Sequence, residues 1–458
     1  MTRQTDRVPG SFRDPCGFVF RQNGTLYRQI NQPYREEFDA LRRSGLLDEL
    51  VSEELLVESR KDDLSHAAGP GAVAVLRPEP VPFVSFPYEW SFGMLKDAAL
   101  LTLEIQRRAL DRGFVLKDAS AFNVLFRKGK PIFIDTLSFE RYVPGEPWVA
   151  YAQFCRHFLA PLALMAKVDV RLGALLATYL DGIPLNLAAK MLPGFSKLTP
   201  GILTHIVLHS KVSAGKGAAS YGKWGKVSEA AKRGLVATLS KTIQHLVWRP
   251  KGTEWSEYYV DTNYSEAGAR AKSAKVSEWL ARVGGRTCWD LGANNGRYSR
   301  LAADAGYETI AADADAAAVE QAYQFVRRTN IERLHPLLID ITNPAPSRGW
   351  DGSEREGLFE RGPADVALAL ALIHHLAIGN NVPLPDVLRT LSRLGRSLIV
   401  EWVPKSDSQV QRMMVARRDV FADYTEEGFR NAIPNHLAVA DRAPIPDSGR
   451  VLYLLRPR

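Results

Sequence analysis

At 458 residues, 46% hydrophobic and 24% charged, the chain is too long for one ordinary domain and too apolar to be disordered or fibrous. Its three cysteines, Cys16, Cys155 and Cys288, stand far apart, which excludes a disulfide framework and a cysteine zinc site. A net charge of +8 and a pI near 9.3 suit an anionic partner without specifying one.

Residues 1–7 are polar and lack the apolar core of a signal peptide. No apolar run approaches the ~20 residues of a membrane helix; the best, 158–165, is short and contains Pro161. A cytoplasmic protein is the expectation.

In chain order, 17–20 and 25–30 flank Asn23-Gly24, the strongest short signal for a hairpin. A helix follows over 34–44, where Gly45 ends it, and another over 47–56. Residues 72–76 and 82–86 read as short strands. From 91 to 112, Met94, Ala98, Leu101 and Ile105 repeat at helical spacing.

Next, Asp118 is followed five residues later by Asn123, and Asp135 ends the apolar run 131–135. This stretch resembles the catalytic and metal-binding loops of the protein-kinase and aminoglycoside-phosphotransferase fold. The resemblance implies a base at Asp118 and magnesium ligands at Asn123 and Asp135. The departures are large. No His precedes Asp118, Thr136-Leu137 stands where Phe-Gly is usual, Arg28 replaces a phosphate-pairing Lys, and no glycine-rich phosphate loop is present. A degenerate kinase-like scaffold, rather than a working phosphotransferase, is the expectation. The alternative is an unrelated α+β domain in which Asp118 and Asn123 cap turns.

Residues 148–192 read as helical, interrupted near Gly182 and Pro184. In 211–251 the lysines and arginines far outnumber the single acid, Glu229. The first part is Gly-, Ser- and Ala-rich, as in a linker. The second places Leu235, Leu239, Ile243 and Leu246 on one helical face. Such a stripe docks on its own protein more often than on acidic lipid or RNA.

The stretch 287–298 organises the rest. An apolar strand ends at Asp290, turns through Gly292 and Gly296, and enters a helix near Arg297. A pyrophosphate facing this turn would be repelled by Asp290, which disfavours a nicotinamide dinucleotide. S-adenosylmethionine has no phosphate and carries an ammonium and a sulfonium that a carboxylate attracts. A second strand ends at Asp313, with Asp315 a rival for the same role, and a third ends at Asp340. A fourth, 364–370, leads to Ile373-His374-His375, and a fifth, 397–400, to Glu401-Trp402. A Thr-capped helix from Tyr424 and a closing hairpin finish the chain.

These motifs resemble the class I S-adenosylmethionine-dependent methyltransferases, with Asn294 in place of the usual middle glycine. The chain is also similar to two-domain bacterial methyltransferases of the nodulation-associated type. The resemblance implies a Rossmann-like seven-stranded sheet over 257–458, the last strand antiparallel. It implies cofactor contacts at Asp290, Gly292, Asn294, Gly296, Asp313, Asp340 and Ile341, with Asp313 on the ribose and Asp340 and Ile341 beside the adenine. His374, His375 and Glu401 are the candidate catalytic groups, Glu401 as base or substrate ligand; no metal triad is evident. Tyr258, Tyr259, Asn263 and Tyr264 precede the sheet, where a helix often lids the cofactor.

The expected organisation is an α/β chain: an accessory α+β domain over 1–210, a basic connecting segment over 211–256 and the methyltransferase domain over 257–458. The partner is a methyl acceptor: a small molecule, a glycan or a protein. The absence of an Asn/Asp-Pro-Pro-Tyr/Phe motif after the fourth strand argues against nucleic-acid bases. The competing class is an interaction protein in which both nucleotide folds have decayed.

Overall fold

The computed structural model describes residues 5–214, 227–250, 264–415 and 418–458. The chain forms two compact units, one of Met1–Arg249 with Arg348–Arg355, the other of Pro250–Ser347 with Glu356–Arg458. Among the described residues no helix is long and apolar enough to cross a membrane.

The first unit opens with a five-stranded antiparallel sheet. Its strands are β1 (Thr5–Arg7), β2 (Gly17–Gln22), β3 (Thr25–Asn31), β4 (Ser59–Asp62) and β5 (Ala72–Pro78), in the order β1-β2-β3-β5-β4. Asn23 and Gly24 turn β2 into β3 with φ of 51° and 79°, the left-handed pair that a two-residue hairpin demands. Helices α1 (Arg35–Arg43) and α2 (Leu46–Ser52) sit between β3 and β4, α2 ending earlier than its sequence suggests. The expected strand over 82–86 does not form. The sheet instead gains β1 and β4, polar edge strands without apolar alternation.

Helix α3 (Phe92–Asp111) is capped by Ser91, whose Oγ accepts from the Met94 N–H, and buries Met94, Ala98, Leu101 and Ile105 as expected. Short strands follow: β6 (Phe114–Leu116), β7 (Val124–Arg127), β8 (Lys130–Phe133) and β9 (Phe139–Arg141), paired as β6-β9 and β7-β8. Beyond them lie α4 (Tyr151–Phe154), α5 (Ala160–Lys167), α6 (Leu185–Met191), α7 (Pro200–Ile202), α8 (His209–Ala214) and α9 (Glu229–His245), with π-helical turns at Cys155–Leu159 and Leu203–Leu208.

Helix α9, read from sequence as part of a connecting segment, packs on α3 within this unit. Its buried positions are Lys232, Val236, Leu239 and Ile243, with Leu246 just beyond, and Lys96 of α3 donates to the carbonyls of Gln244 and Leu246 at 2.9 Å each. The apolar stripe is therefore a bundle face. The linker-like part of the basic segment lies largely outside the described residues.

The second unit begins with α10 (Glu266–Val283), capped by Ser265. A seven-stranded sheet follows, built from β10 (Thr287–Leu291), β11 (Glu308–Asp313), β12 (Leu334–Leu338), β13 (Ala364–Ala369), β14 (Gly395–Trp402), β15 (Leu437–Pro444) and β16 (Val451–Pro457). Its order is β12-β11-β10-β13-β14-β16-β15, parallel through β14, with β16 antiparallel beside it. Helices α11 (Arg297–Asp304), α12 (Ala316–Thr329), α13 (Leu384–Leu394), α14 (Ser408–Met414) and α15 (Glu426–Asn431) complete the unit. The central strands read as unbroken apolar runs because both sheet faces are covered. On one face Val276, Trp279 and Leu280 of α10 meet Cys288, Val366, Leu368 and Ile399. This is the expected α/β sheet with its antiparallel closing strand, and the strand order reverses at β10. Parallel sheets bind ligands outside the carboxyl ends of their strands at such a point.

Candidate active site

The turn after β10 is shaped by three left-handed residues, Gly292 (φ 71°), Asn294 (φ 52°) and Gly296 (φ 79°). At Gly292 space matters as well as φ, since a Cβ there would stand 3.0 Å from Leu372 Cδ1. Asn294 takes the place of a glycine because asparagine tolerates this conformation better than most residues. Its amide oxygen accepts from the Asn295 N–H at 2.7 Å.

Asp313, at the end of β11, reaches back to this turn. Its Oδ2 accepts from the Asn294 N–H at 2.7 Å and its Oδ1 from the Asp315 N–H at 2.8 Å. Burial raises its pKa, opposed by those backbone donors. Asp315 does different work: its Oδ1 caps α12, accepting from the N–H groups of Ala317 and Ala318. Asp313, preferred in the sequence over its rival Asp315, thus holds the glycine turn while Asp315 holds the start of the helix.

Asp290 is only 2% exposed, and its Oδ2 accepts from Ser299 Oγ of α11 at 2.6 Å. Burial pushes its pKa up to about 6 against the opposing hydrogen bond from Ser299 and the charge of Lys272. The Oδ1 of neighbouring Asn295 is buried without a hydrogen-bond partner among the described residues. Asp340 is exposed, and its Oδ1 accepts from both the N–H and the Oγ of Thr342, so the carboxylate also holds its own turn. Ile341 beside it is half-buried.

Past β13 the backbone is unusual twice over. Ala371 has φ 51°, and His375–Gly379 is a π-helical turn, two departures that often accompany binding sites. His374 is 0% exposed, and neither ring nitrogen has a hydrogen-bond partner among the described residues. Burial, with His375, Arg450 and Lys272 beside it, holds its imidazole well below the ordinary pKa. The His375 ring lies 4.1 Å away, centroid to centroid, and burial with the Arg450 charge lowers its pKa to about 4.

Glu401, expected as a base or ligand, lies inside β14 rather than beyond it, fully buried in a polar cluster. Lys272 of α10 donates to its Oε2 at 2.6 Å, Tyr264 donates to its Oε1, and Arg450 stands 3.7 Å away. Arg450, itself buried, donates to Asp407 at 2.7 and 3.1 Å and to the Tyr264 hydroxyl at 2.5 Å. The paired cations hold the Glu401 carboxyl below its usual range although burial opposes them. A carboxylate so engaged anchors its neighbours and is a poor proton acceptor. The sequence reading named Tyr264 but missed Lys272, Arg450, Asp407 and Ser299. Lys272 had left one trace, a lysine in register with the buried Val276 and Trp279 of α10. Tyr258, Tyr259 and Asn263 lie outside the described residues.

In the first unit, Asp118, Asn123 and Asp135 form a tight polar network. Asn123 donates to Ser138 Oγ at 3.2 Å, and Ser138 Oγ donates to Asp135 at 2.5 Å. Arg28 of β3 forms an ion pair with Asp135, and Asp118 accepts from the Ser120 N–H. The Arg28 charge and these hydrogen bonds hold the Asp135 pKa low against its burial, whereas burial raises that of Asp118. A kinase identity for this unit does not follow from these contacts.

No protein-family model matches the chain. Among solved structures, magnesium protoporphyrin IX methyltransferase (ChlM) from Synechocystis PCC 6803 with bound SAM matches at 18% identity and a TM-score of 0.32, covering 44% of this chain and 89% of that one. The bifunctional kinase-methyltransferase WbdD matches at 16% and 0.31, covering 44% and 41%. N-methyltransferase NodS from Bradyrhizobium japonicum WM9 matches at 11% and 0.32, covering 42% and 98%. In sequence, nodulation protein NoeA of Rhizobium meliloti (strain 1021) is 36% identical over 456 residues, which is 98% of this chain and 95% of that protein. With likeness across nearly the whole of both chains, this protein belongs to the family of nodulation protein NoeA.

Proposed function

We propose that the chain is an S-adenosylmethionine-dependent methyltransferase whose chemistry resides in residues 257–458. The observation that carries the reading is the hydrogen bond from the Asn294 N–H to Asp313, which ties the glycine turn after β10 to the acid that ends β11. The donor set suits the group. Asp290 and the unpartnered Asn295 oxygen suit its ammonium and sulfonium, and Asp313 suits the ribose hydroxyls. Gly292 and Gly296 would let the backbone approach it, and Asp340 and Ile341 would hold the adenine. When bound, it supplies a methyl group already activated on a sulfonium.

The protein's own task is then to place an acceptor in line and keep it there. His374 and His375, beyond β13, are the groups this reading assigns to the acceptor side, while Glu401 holds Lys272, Tyr264 and Arg450 in place. The acceptor is a small molecule, a glycan or a protein, and residues 1–210 are accessory to the methyltransferase domain. For that domain a scaffold is favoured over a phosphotransferase, because Arg28 engages the carboxylate of Asp135 that a magnesium ion would need.

Calorimetry of the full chain with S-adenosylmethionine and, separately, NADH tests the reading. Binding of the first and not the second is expected; the reverse overturns it.

A further inference from the structure

Between α6 and α7 the chain makes a single 3-10 turn, Phe195–Leu198. In such a turn residues three apart point the same way. Ser196 faces inward and is buried, whereas Phe195 and Leu198 are each 76% exposed. The turn closes on its own backbone. The Ser196 N–H donates to the Pro193 carbonyl at 3.0 Å, and the Thr199 N–H to the Ser196 carbonyl at 3.2 Å. Two large apolar side chains therefore stand side by side on a closed turn, and both remain in water.

The charge around this turn has one sign. Asp181 precedes α6, and the next acid in the sequence is Glu229. The turn packs on α7 and on the π-helical Leu203–Leu208, which in turn packs on α6 and α8, and none of these elements holds a carboxylate. They hold Lys190, Lys197 and Lys211 instead, and none of the three is ion-paired among the described residues. Lys190 and Lys211 are exposed, and Leu208 is 47% exposed.

RNA would match the lysines but gives no reason for Phe195 and Leu198 to stand out together. An anionic bilayer accounts for both. Apolar side chains enter the boundary between headgroups and acyl chains, while lysines stay with the anionic headgroups. A turn whose backbone is already paired enters that boundary at low cost.

We propose that the Phe195–Leu198 turn docks the protein on the surface of an anionic lipid bilayer. Phe195 and Leu198 insert, and Lys190, Lys197 and Lys211 lie on the headgroups. The contact is peripheral, and it stands independently of the methyltransferase reading.

The test is flotation of the full chain with phosphatidylcholine vesicles, with and without phosphatidylglycerol. Binding to the anionic vesicles alone, weakened by high salt, is expected. Phe195→Ser with Leu198→Ser should lower that binding at least about tenfold. Lys190→Gln with Lys197→Gln and Lys211→Gln should lower it by a similar factor. Phe195 and Leu198 are exposed, so the serine variant should melt at the temperature of the unaltered protein, which thermal unfolding checks. Equal binding to both vesicles, or anionic-vesicle binding that either variant keeps in full, would overturn the proposal. So would no vesicle binding at all; capture of single-stranded RNA or of polyglutamate would then assign the surface to a nucleic acid or an acidic protein.

Discussion

Lys272 Nζ and Glu401 Oε2 meet at 2.6 Å, with side chains only 2% and 0% exposed. The pair joins the helix before the sheet to its fifth strand, and Tyr264 closes over both cations, its ring 4.8 Å from Lys272 Nζ and 4.6 Å from the Arg450 guanidinium. Removing one partner of such a pair leaves the other charged and dry. Glu401→Gln is therefore expected to destabilise the second unit by about 3–5 kcal/mol. Lys272→Met combined with Glu401→Leu should cost clearly less than the two single changes added together. Denaturant unfolding of the four proteins measures this, and strictly additive losses would show that the pair is not coupled.

Asp313 and Asp315 are expected to separate cleanly. Asp313→Ala should weaken S-adenosylmethionine binding by about 1.5–3 kcal/mol, the range of hydrogen bonds to a charged group. Asp315→Ala should leave affinity nearly unchanged and cost about 1 kcal/mol of stability, the usual loss for a helix cap. Titration calorimetry and thermal unfolding on both variants decide it. The opposite assignment would place the ribose on Asp315.

Asp290 sets a pH dependence. Its folded pKa of about 6 lies above the ordinary 3.8, so between those values the folded protein holds a proton that the unfolded chain has released. This one group therefore adds stability as pH falls through 6 and loses it as pH rises. Binding runs the other way, because a cationic ligand prefers the ionised carboxylate. Affinity for S-adenosylmethionine is expected to drop when pH falls from 7.5 to 5.5, and Asp290→Asn should flatten that dependence. Calorimetry at the two values checks both, and a pH-independent affinity would remove Asp290 from the cofactor site.

In the first unit, Arg28 on Asp135 is expected to preclude magnesium-ATP chemistry. No phosphotransfer should be detectable with labelled ATP, and Asp118→Ala should leave methyl transfer within a few-fold of the unaltered protein. Stoichiometric phosphorylation that disappears in Asp118→Ala would contradict this.

Much of the second unit was legible because its signals are local. Asp290, Gly292 and Gly296 mark a strand, a left-handed turn and a helix, and the apolar run before Asp313 has only one sensible end. Helix α12 spans Ala316–Thr329, directly after the Asp315 cap. The edge strands β1 and β4 were not legible, since Ser59–Asp62 reads Ser-Arg-Lys-Asp and is held by pairing with β5 rather than by apolar alternation. The role of Glu401 was hidden for another reason. Its partners Lys272, Tyr264 and Arg450 lie far off in the chain, and one sequence carries no sign that distant charges are buried together. The same holds for α9, whose stripe announced a docking face but not that α3 would be its partner.

Equilibrium binding of S-adenosylmethionine to the full chain and to Asp313→Ala, at one pH and with NADH as the control ligand, tests the central claim most directly. One site per chain, weakened at least about tenfold in the variant and blind to NADH, is the predicted result. No binding of S-adenosylmethionine, or an affinity untouched by the loss of Asp313, would contradict it.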